Sequence, residues 1–589
     1  MLTTTTNISQ EPWHDMEAYP SDEVHIPIWS LYQDYLEKNK PWMDDQETYL
    51  LTYEGIDNTR KSTVGSLNQI FRAFTPKYSW NVCQSITDTL VSRVGKNRPK
   101  PMYIPKGGDY SLKERVETMT DLVNGQFQNA GLYGTGREVF RDACIYGTGV
   151  IKTYEQDGKI VHERTLPFEI LVDPMDGRYG TPSQLIQRKH VRKCTLKAQY
   201  PSQELDIESS SIASTDLLIG IQNQDTVSSH DWVEVVEIWK LPSIKDGKDG
   251  RHSIIIQNTT LLDEPWERDD FPFRFLRYIK RSIGFWGVGV VEILFGLQME
   301  INKTIRKVQR SLDLVSVPTW LVDKRSQVVN RHIQNVIGNI LEYSGGNKPD
   351  VIVPSAVNPE LFNYLENLFN KAYNLIGVSI LSSQSMKPSG LDSGVAIRTA
   401  DDIETERFSE ISLDYQDWFL EIAEDIINLA REIEDFSASV KSGNVFNDVK
   451  WSEINLANED FKVDLYPVNL LSSKPEGKLA QVQEMVSANL ISPEEGKDLL
   501  DFPDLDRYQD LDSANRDIIR KTVDQMVRKG IYTPPEPFDD LTFALKYAKQ
   551  AYGLGRLEGA PEDNLELCRN YILEVINELK KLQPPTPTE

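Results

Sequence analysis

The sequence predicts an α+β protein that is predominantly helical. Three observations support this. Apolar residues recur at three- and four-residue steps over residues 287–316, a period of two dominates residues 149–280, and a further long helical stretch covers about 395–436. The chain has 589 residues, 39% of them hydrophobic, so it is long enough for several packed modules and too apolar for global disorder.

Composition excludes several protein classes. With 64 Lys and Arg against 89 Asp and Glu, the net charge of -25 argues against a protein that wraps DNA over its whole surface, although a local basic patch remains compatible. The four cysteines form no CxxC pair, which disfavours a zinc knuckle or a disulfide framework and favours a reducing compartment. We expect no signal peptide, because the N-terminus lacks a basic start and an apolar core, and no membrane span.

The sequence pattern of the N-terminal half predicts helices followed by strands. Residues 28–146 are mostly helical, for example Tyr110 to Asn129 and Gly136 to Tyr146. From Gly149 the period becomes two, and an Asp157-Gly158 turn predicts a hairpin at the start of a β-rich region that ends near residue 280. Residues 203–230 are rich in Ser and Asp with weak periodicity, so we interpret them as a surface excursion.

Two amphipathic helices bracket a short mixed segment. The first helix covers about 287–316 and has an apolar stripe on one side and the cations Lys303, Arg306, Lys307 and Arg310 on the other. A small α/β segment with short strands follows, and a second helix begins at Pro359 and ends near Gly377.

The C-terminal part is helical and locally acidic. The Ser- and Gly-rich residues 379–394 precede the helix of residues 395–436, whose net charge is -10 and which begins with Asp401, Asp402, Glu404 and Glu406. Two strand-like pieces lead into further helices that end near residue 581, and the tail PPTPTE is expected to be disordered.

No enzyme motif is present in the sequence. A GxxxxGK[ST] phosphate loop is missing, the GTG and GVG pieces lack dinucleotide spacing and are interpreted as turns, and the seven histidines occur singly without HExxH. We therefore predict no catalytic, cofactor-binding or metal-binding residues, and we interpret the acidic run at 401–406 as a solvated helix face.

The basic stripe leaves two interpretations open. Residues 301–331, which add Lys324, Arg325 and Arg331 to the four helix cations, carry a net charge of +5 within a chain of -25. This surface could be solvated or form intersubunit salt bridges, or it could contact nucleic-acid phosphates or an acidic partner.

Four stretches carry a resemblance to a known family. They are RDACIYGTGVIK, LPFEILVDP, the helix GVGVVEILFGLQMEINKTIRKVQRSLDLV with WLVDK after it, and NLLSSKPEGKLAQVQEMVSANLISPEEGKDLL. Together with the order of elements, they resemble the portal (head-to-tail connector) proteins of tailed double-stranded DNA bacteriophages between about residues 110 and 505.

The resemblance implies a phage portal fold with wing, stem, clip and crown regions that assembles as a ring. Its regions would be a helical block and β-rich wing (1–286), stem helix 1 (287–316), clip (317–358), stem helix 2 (359–378), tunnel loop (379–394), channel helix and return to the wing (395–471), helical crown (472–583) and disordered tail (584–589).

The function implied by the resemblance is a DNA channel. Portals form a ring, usually of twelve copies, at one capsid vertex of the virion, where the genome is packaged and ejected. Assembly would occur in the host bacterial cytoplasm, and the implied partners are double-stranded DNA bound without sequence preference, the terminase motor, the major capsid or scaffold protein, and tail or adaptor proteins. No cofactor is implied. The alternatives are a tail adaptor or scaffold protein without a channel, and a packaging enzyme such as a nuclease.

The resemblance also gives roles to particular residues. Stem contacts to DNA would come from Lys303, Arg306, Lys307 and Arg310. Clip docking would involve Lys324, Arg325, Arg331 and Lys348. The tunnel loop would include Ser382, Ser383, Gln384, Ser385, Met386 and Lys387. The acidic channel wall would include Asp401, Asp402, Glu404 and Glu406, and the ring interface Leu297, Ile301 and Ile305.

Overall fold

A computed structural model describes most of the chain. The described residues are 13–14, 23–55, 80–96, 98–106, 110–210, 231–244, 247–316, 319–323, 345, 350–352, 359–378, 408–433, 436–442, 445–454, 456, 461–465, 482–483, 485–488, 490 and 503–582.

The described residues form both helices and strands. The helices are α1 (His25–Tyr53), α2 (Val82–Val94), α3 (Tyr110–Asn129), α4 (Leu132–Tyr146), α5 (Lys193–Gln199), α6 (Glu204–Ser209), α7 (Val290–Ser316), α8 (Pro359–Ile376), α9 (Ser409–Glu432), α10 (Trp451–Ile454), α11 (Pro503–Lys529), α12 (Leu541–Glu558) and α13 (Glu562–Leu582). The strands are β1 (Pro101–Pro105), β2 (Thr148–Gln156), β3 (Lys159–Thr165), β4 (Ile170–Leu171), β5 (Gln184–Arg192), β6 (Trp232–Lys240), β7 (Arg251–Ile256), β8 (Thr259–Pro265), β9 (Phe273–Arg277), β10 (Thr319–Leu321), β11 (Asp350–Ile352), β12 (Ser437–Ser442), β13 (Val445–Lys450) and β14 (Phe461–Leu465).

The chain forms two compact units. The first comprises Met1–Lys96, Gly134–Thr153 and His162–Trp418, and the second comprises Asn97–Tyr133, Tyr154–Val161 and Phe419–Glu589. Each unit is therefore built from segments that are distant in sequence.

The first unit contains a five-stranded antiparallel sheet in the order β4-β5-β6-β7-β8. Alternate residues of these strands point to one face, where Val236 and Ile238 of β6 pack with Ile28, Tyr32 and Tyr35 of α1. The burial of these apolar side chains, together with the strand ladder, fixes the register of the sheet.

A three-stranded sheet in the order β3-β2-β9 begins with the predicted hairpin. Asp157 and Gly158 have φ angles of 53° and 74°, which are the positive values that a two-residue type I′ turn requires at both positions. The predicted turn is therefore confirmed.

The first unit also contains the long amphipathic helices. Helix α7 packs against α1, α2 and α8, and the short strands β10 and β11 pair antiparallel, with Trp320 opposite Val351. Among the described residues the order is therefore helix, strand, strand, helix, which agrees with the prediction of two helices that bracket a segment with short strands.

The second unit contains a three-helix cluster and a two-stranded ladder. Helices α11, α12 and α13 bury Val523, Met526, Ala548 and Tyr571 between them. Strand β1 pairs antiparallel with β14, although Tyr103 and its partner Val463 are 360 positions apart in the sequence. Phe127 of α3 contacts Phe419 of α9, with ring centroids 5.8 Å apart.

Several strands were not predicted from the sequence. β5, β8 and β9 lie within the predicted β-rich region without individual signals, and β1 lies within residues 28–146, which are predicted to be mostly helical. Within the stretch LPFEILVDP, Pro167–Glu169 form a 3₁₀ turn, so only Ile170–Leu171 pair as a strand. Proline lacks the amide hydrogen that a central strand position needs, which explains the turn.

The surface excursion predicted at 203–230 begins with helix α6, and residues 211–230 lie outside the described residues, as does the PPTPTE tail. None of the described helices has the length and apolar content that a membrane crossing requires.

Candidate functional site

Helix α7 has a buried stripe at three- and four-residue steps. Its members, all less than a tenth exposed, are Val290, Val291, Leu294, Gln298, Ile301, Thr304 and Val308. This spacing places one side of the helix against its neighbours α1, α2 and α8. The stripe is therefore largely covered within one chain.

The three residues predicted at the ring interface, Leu297, Ile301 and Ile305, differ in how much of their surface this chain already covers. Ile301 has no exposed surface, so its side chain contacts this chain's own residues. Leu297 and Ile305 are only partly buried and keep surface that a second molecule could cover. Ile301 therefore belongs to the core that α1, α2 and α8 form with α7.

Gln298 is the polar member of the stripe, and it fastens α7 to α2. Its Oε1 accepts hydrogen bonds from the amides of Val82, at 2.9 Å, and Cys83, at 3.4 Å, which are among the donors left unpaired at a helix N-terminus. Its Nε2 donates to the carbonyl of Trp80, at 2.9 Å, and to Oδ1 of Asn302, at 3.0 Å. Both polar atoms of this buried amide are therefore satisfied.

Asn81 completes the same junction. Its Oδ1 accepts from the amide of Gln84, at 3.0 Å, as an N-cap, while Nδ2 donates to the carbonyl of Thr52, at 3.1 Å, and to that of Tyr53. One side chain thus joins the end of α1 to the start of α2. Beside it, Trp80, Ser85, Phe369 and Tyr373 line a cleft of about 300 Å³ between α2 and α8.

The basic stripe lies on the solvent side of α7. Lys303, Lys307 and Arg310 are exposed, whereas Arg306 is partly buried and has an interaction partner. Lys303 forms an ion pair with Glu300 at 3.2 Å, but both side chains are at least one-third exposed, so water screens this pair and it contributes little to stability. The exposed cations remain able to contact a phosphate or a carboxylate of another molecule.

Exposed apolar side chains occur at the ends of α7 and α8 that adjoin β10 and β11 in the chain. Leu312 is 51% exposed, Phe362 is 48% exposed and Tyr364 is 44% exposed. Phe362 and Tyr364 are two residues apart on α8, so they lie on different sides of that helix, and each is an exposed apolar side chain that another molecule could cover.

Many predicted site residues lie outside the described residues. They are the clip cations Lys324, Arg325, Arg331 and Lys348, the tunnel-loop residues Ser382, Ser383, Gln384, Ser385, Met386 and Lys387, and the acidic residues Asp401, Asp402, Glu404 and Glu406. The described part of the acidic stretch is α9, in which Glu410 and Asp417 are exposed and Asp414 pairs with Lys280 at 3.2 Å.

A close backbone crossing joins two of the family-like stretches. The amide of Gly287 donates to Oγ1 of Thr148 at 2.9 Å, and the amide of Tyr278 donates to the carbonyl of Gly147 at 3.1 Å. A Cβ at Gly147 would lie 2.4 Å from the carbonyl oxygen of Gly287, a distance that real side chains do not reach. The GTG and GVG pieces, interpreted from sequence as separate turns, are therefore in direct contact.

Groups suited to metal chemistry do not converge in the described part of the chain. Among these residues, no three His, Cys, Asp or Glu side chains are grouped so that they could hold a metal ion. What the arrangement offers instead is a helical scaffold with exposed cations and exposed apolar side chains.

Comparison with known proteins finds a matching family. No curated protein matches the chain. Residues 178–465 match the family model described as phage SU10 portal protein. The matched residues include β5 to β9, both amphipathic helices α7 and α8, the strand pair β10 and β11, and α9. The family match therefore confirms the resemblance to phage portal proteins that the sequence predicts.

Proposed function

We propose that the chain is the portal protein of a tailed phage, and that it assembles as a ring at one capsid vertex through which DNA is packaged and ejected. The observation that carries the proposal is the family match over residues 178–465. Within that range, α7 and α8 pack together and the short β10–β11 pair lies between them in the chain, which is the order expected for a stem and a clip.

The proposed ring uses surface that one chain leaves uncovered. Leu297 and Ile305 on α7, together with Leu312, Phe362 and Tyr364, are at least partly exposed apolar side chains on the proposed stem. In a closed ring each subunit contacts two neighbours through different surfaces, so such residues would be covered on both sides of the stem. Twelve copies is the number that the resemblance implies.

The proposed channel is mainly acidic with limited basic contact. Each phosphate neutralised by Lys or Arg strengthens DNA binding and its salt dependence, so a strongly basic lining summed over a ring would hold DNA too tightly for sliding. Asp401, Asp402, Glu404 and Glu406, continued by the exposed Glu410 and Asp417, would repel the phosphates. Lys303, Lys307 and Arg310 would supply weak contacts that are indifferent to sequence.

The remaining regions would serve partners and gating. Residues 379–394, with high Ser and Gly content, would form a tunnel loop that narrows the channel, and the tip at residues 317–358, with Lys324, Arg325, Arg331 and Lys348, would dock the terminase motor and tail or adaptor proteins. Capsid or scaffold protein would hold the ring in the virion.

The mass of the purified assembly tests the proposal and separates it from the alternatives. Mass photometry of a portal ring should show one dominant species at about twelve times the 67.3 kDa of a single chain. A protein that stays monomeric under assembly conditions, whether a nuclease or a monomeric adaptor, would contradict the proposal. Imaging tests the remaining alternative, a tail adaptor or scaffold protein without a channel, because the proposed portal ring has a central hole that passes DNA.

A further inference from the structure

A buried ionic cluster crosses four strands of the first unit. Lys152 of β2 donates from Nζ to Oε2 of Glu237 on β6 at 2.6 Å and to Oε1 of Gln187 on β5 at 3.0 Å. His252 of β7 lies 3.0 Å through Nε2 from the other oxygen, Oε1, of Glu237. Each oxygen of the Glu237 carboxylate therefore has its own cationic or imidazole partner.

His252 is also bonded to the edge strand of the sheet. Its Nδ1 lies 2.7 Å from Oε1 of Glu264 on β8, so the ring joins two carboxylates from the strands on either side of β7. The imidazole stacks on the indole of Trp239, with centroids 5.0 Å apart and planes 10° apart, and Trp266 meets its ring at 5.6 Å. The aromatic rings hold the imidazole in the plane that both hydrogen bonds need.

The two carboxylates differ in exposure, and this difference decides which contact depends on protonation. The His252 side chain is 8% exposed and that of Glu237 19%, whereas that of Glu264 is 46% exposed. A protonated imidazole donates from both nitrogens, but a neutral one has a single N–H. The Glu237 carboxylate is the less exposed of the two and is held by Lys152, so we infer that the remaining proton stays at Nε2 and the Nδ1 lone pair then faces the Glu264 carboxylate.

We propose that His252 and Glu264 form a pH-sensitive latch that fastens the edge strand β8 to the sheet when His252 is protonated and releases it when His252 is neutral. Release leaves the contacts among Lys152, Glu237 and Gln187 intact. It loosens the pairing between β7 and β8 and exposes the edge of β7, a row of backbone groups that another strand could pair with.

The electrostatic surroundings agree with the geometry. Burial alone would lower the pKa of His252, but the hydrogen bonds to Glu237 and Glu264 raise it above its usual value of 6.5. Burial alone would raise the pKa of Glu237, yet Lys152 and His252 lower it to about 2. The other ionisable groups nearby are Tyr200, whose pKa burial and the two carboxylates raise, and the Arg251–Asp263 pair at 2.7 Å.

The sign of the pH dependence follows from the raised pKa. A histidine whose pKa is higher in the folded state stabilises the fold fully below its unfolded value, near 6.5, and loses that contribution as the pH rises through the folded value. Glu237 stays ionised throughout this window because its pKa is about 2. The contact between His252 and Glu264 is therefore lost as the pH rises above the folded-state pKa of His252.

Hydrogen exchange of β8 tests the latch, with the variant Glu264→Gln as the probe. A glutamine accepts from the protonated imidazole and donates to the neutral one, so its contact survives both states. Glu267→Gln is the matched control. Glu267 is an exposed residue three positions after Glu264, and its replacement removes the same charge. Peptides over residues 259–265 and 232–240 are compared by mass spectrometry between pH 6 and pH 9, with rates divided by the intrinsic rate at each pH.

The expected result is specific to one strand and one variant. Opening of β8 in the wild type and in Glu267→Gln should increase about two- to fivefold over this range, as expected for a half-exposed ionic contact, while β6 does not change. Glu264→Gln should show no such increase. If Glu264→Gln shows the same increase as the wild type, or if the wild type shows none, the latch does not exist.

Discussion

Gly147 and Gly287 cross with their backbones in contact, so that a Cβ on either one would lie within 2.4 Å of the other's carbonyl oxygen. Gly147 also has a φ of 84°, which a residue with a side chain rarely adopts. Gly147 immediately precedes β2, and Gly287 lies three residues before α7. The crossing fixes the start of the proposed stem helix against the sheet of the first unit.

Replacement of Gly147 by alanine should destabilise the first unit by about 3 kcal/mol, because the methyl group meets the Gly287 carbonyl and the backbone leaves its preferred region. Urea unfolding monitored by circular dichroism measures the change. Gly134→Ala is the matched control, since a Cβ there has no neighbour within 4 Å, and it should be neutral or slightly stabilising. Equal stability of the two variants would mean that the crossing is not tight.

Aspartate substitutions on α7 separate ring contacts from the core. Leu297→Asp and Ile305→Asp introduce a charge at partly exposed positions, so we expect folded chains that no longer assemble. Ile301→Asp places a carboxylate at a position with no exposure and should prevent folding itself. Mass photometry and circular dichroism distinguish these results. Intact rings from both Leu297→Asp and Ile305→Asp would exclude this stripe from the ring interface.

Glu169 also makes stability depend on pH, but the cause of its raised pKa is burial, whereas the cause for His252 is hydrogen bonding to carboxylates. Burial raises the pKa of Glu169 to about 7, with Lys189 opposing the change only in part. A carboxyl whose pKa is raised in the folded state lowers stability as the pH rises from about 4.5 to 7. Glu169→Gln should therefore raise the free energy of unfolding by about 1 kcal/mol or more at pH 8.

The same Glu169→Gln variant should show no gain at pH 4, where the carboxyl is protonated in both states. Urea titrations at the two pH values provide the comparison. A gain of equal size at both would assign the effect to altered packing and not to ionisation.

Neutralising Lys303, Lys307 and Arg310 to glutamine should lower the salt dependence of duplex DNA binding by the assembled ring. Each phosphate that the variant no longer neutralises reduces the slope of log K against log salt by about 0.9. Fluorescence anisotropy over a salt series measures the slope. Substitution of Lys546, Lys549 and Arg556, three exposed cations on α12, is the control with equal charge. If both triple variants give the wild-type slope, the α7 cations do not face DNA.

Local sequence patterns predict many of the helices and strands, but they do not predict contacts between residues that are distant in sequence. Helix α3 has the predicted bounds and α8 begins at the predicted Pro359, since periodicity and proline are local signals. Strand β5 was missed because it carries Arg188 and Lys189, whose charges look exposed in sequence, although Arg188 is 4% exposed and donates to the carbonyl of Phe168.

The site was predicted less completely than the fold, for the same reason. The exposed positions of Lys303, Lys307 and Arg310 follow from helical spacing, but the coverage of Ile301 depends on α1 and α2, more than 200 residues earlier. Gln298 looked like an ordinary polar helix residue, and no local signal reveals that it holds the start of α2. The contact between Gly147 and Gly287 likewise depends on the tertiary fold.

Averaged electron micrographs of the purified protein test the central proposal most directly. We expect end-on views of a thick closed ring, about twelve-fold, with a central hole wide enough to pass a DNA duplex, and the same hole occupied in particles stalled during packaging. Compact particles without a hole, or rings whose hole excludes DNA under packaging conditions, would contradict the assignment of this chain as a DNA channel.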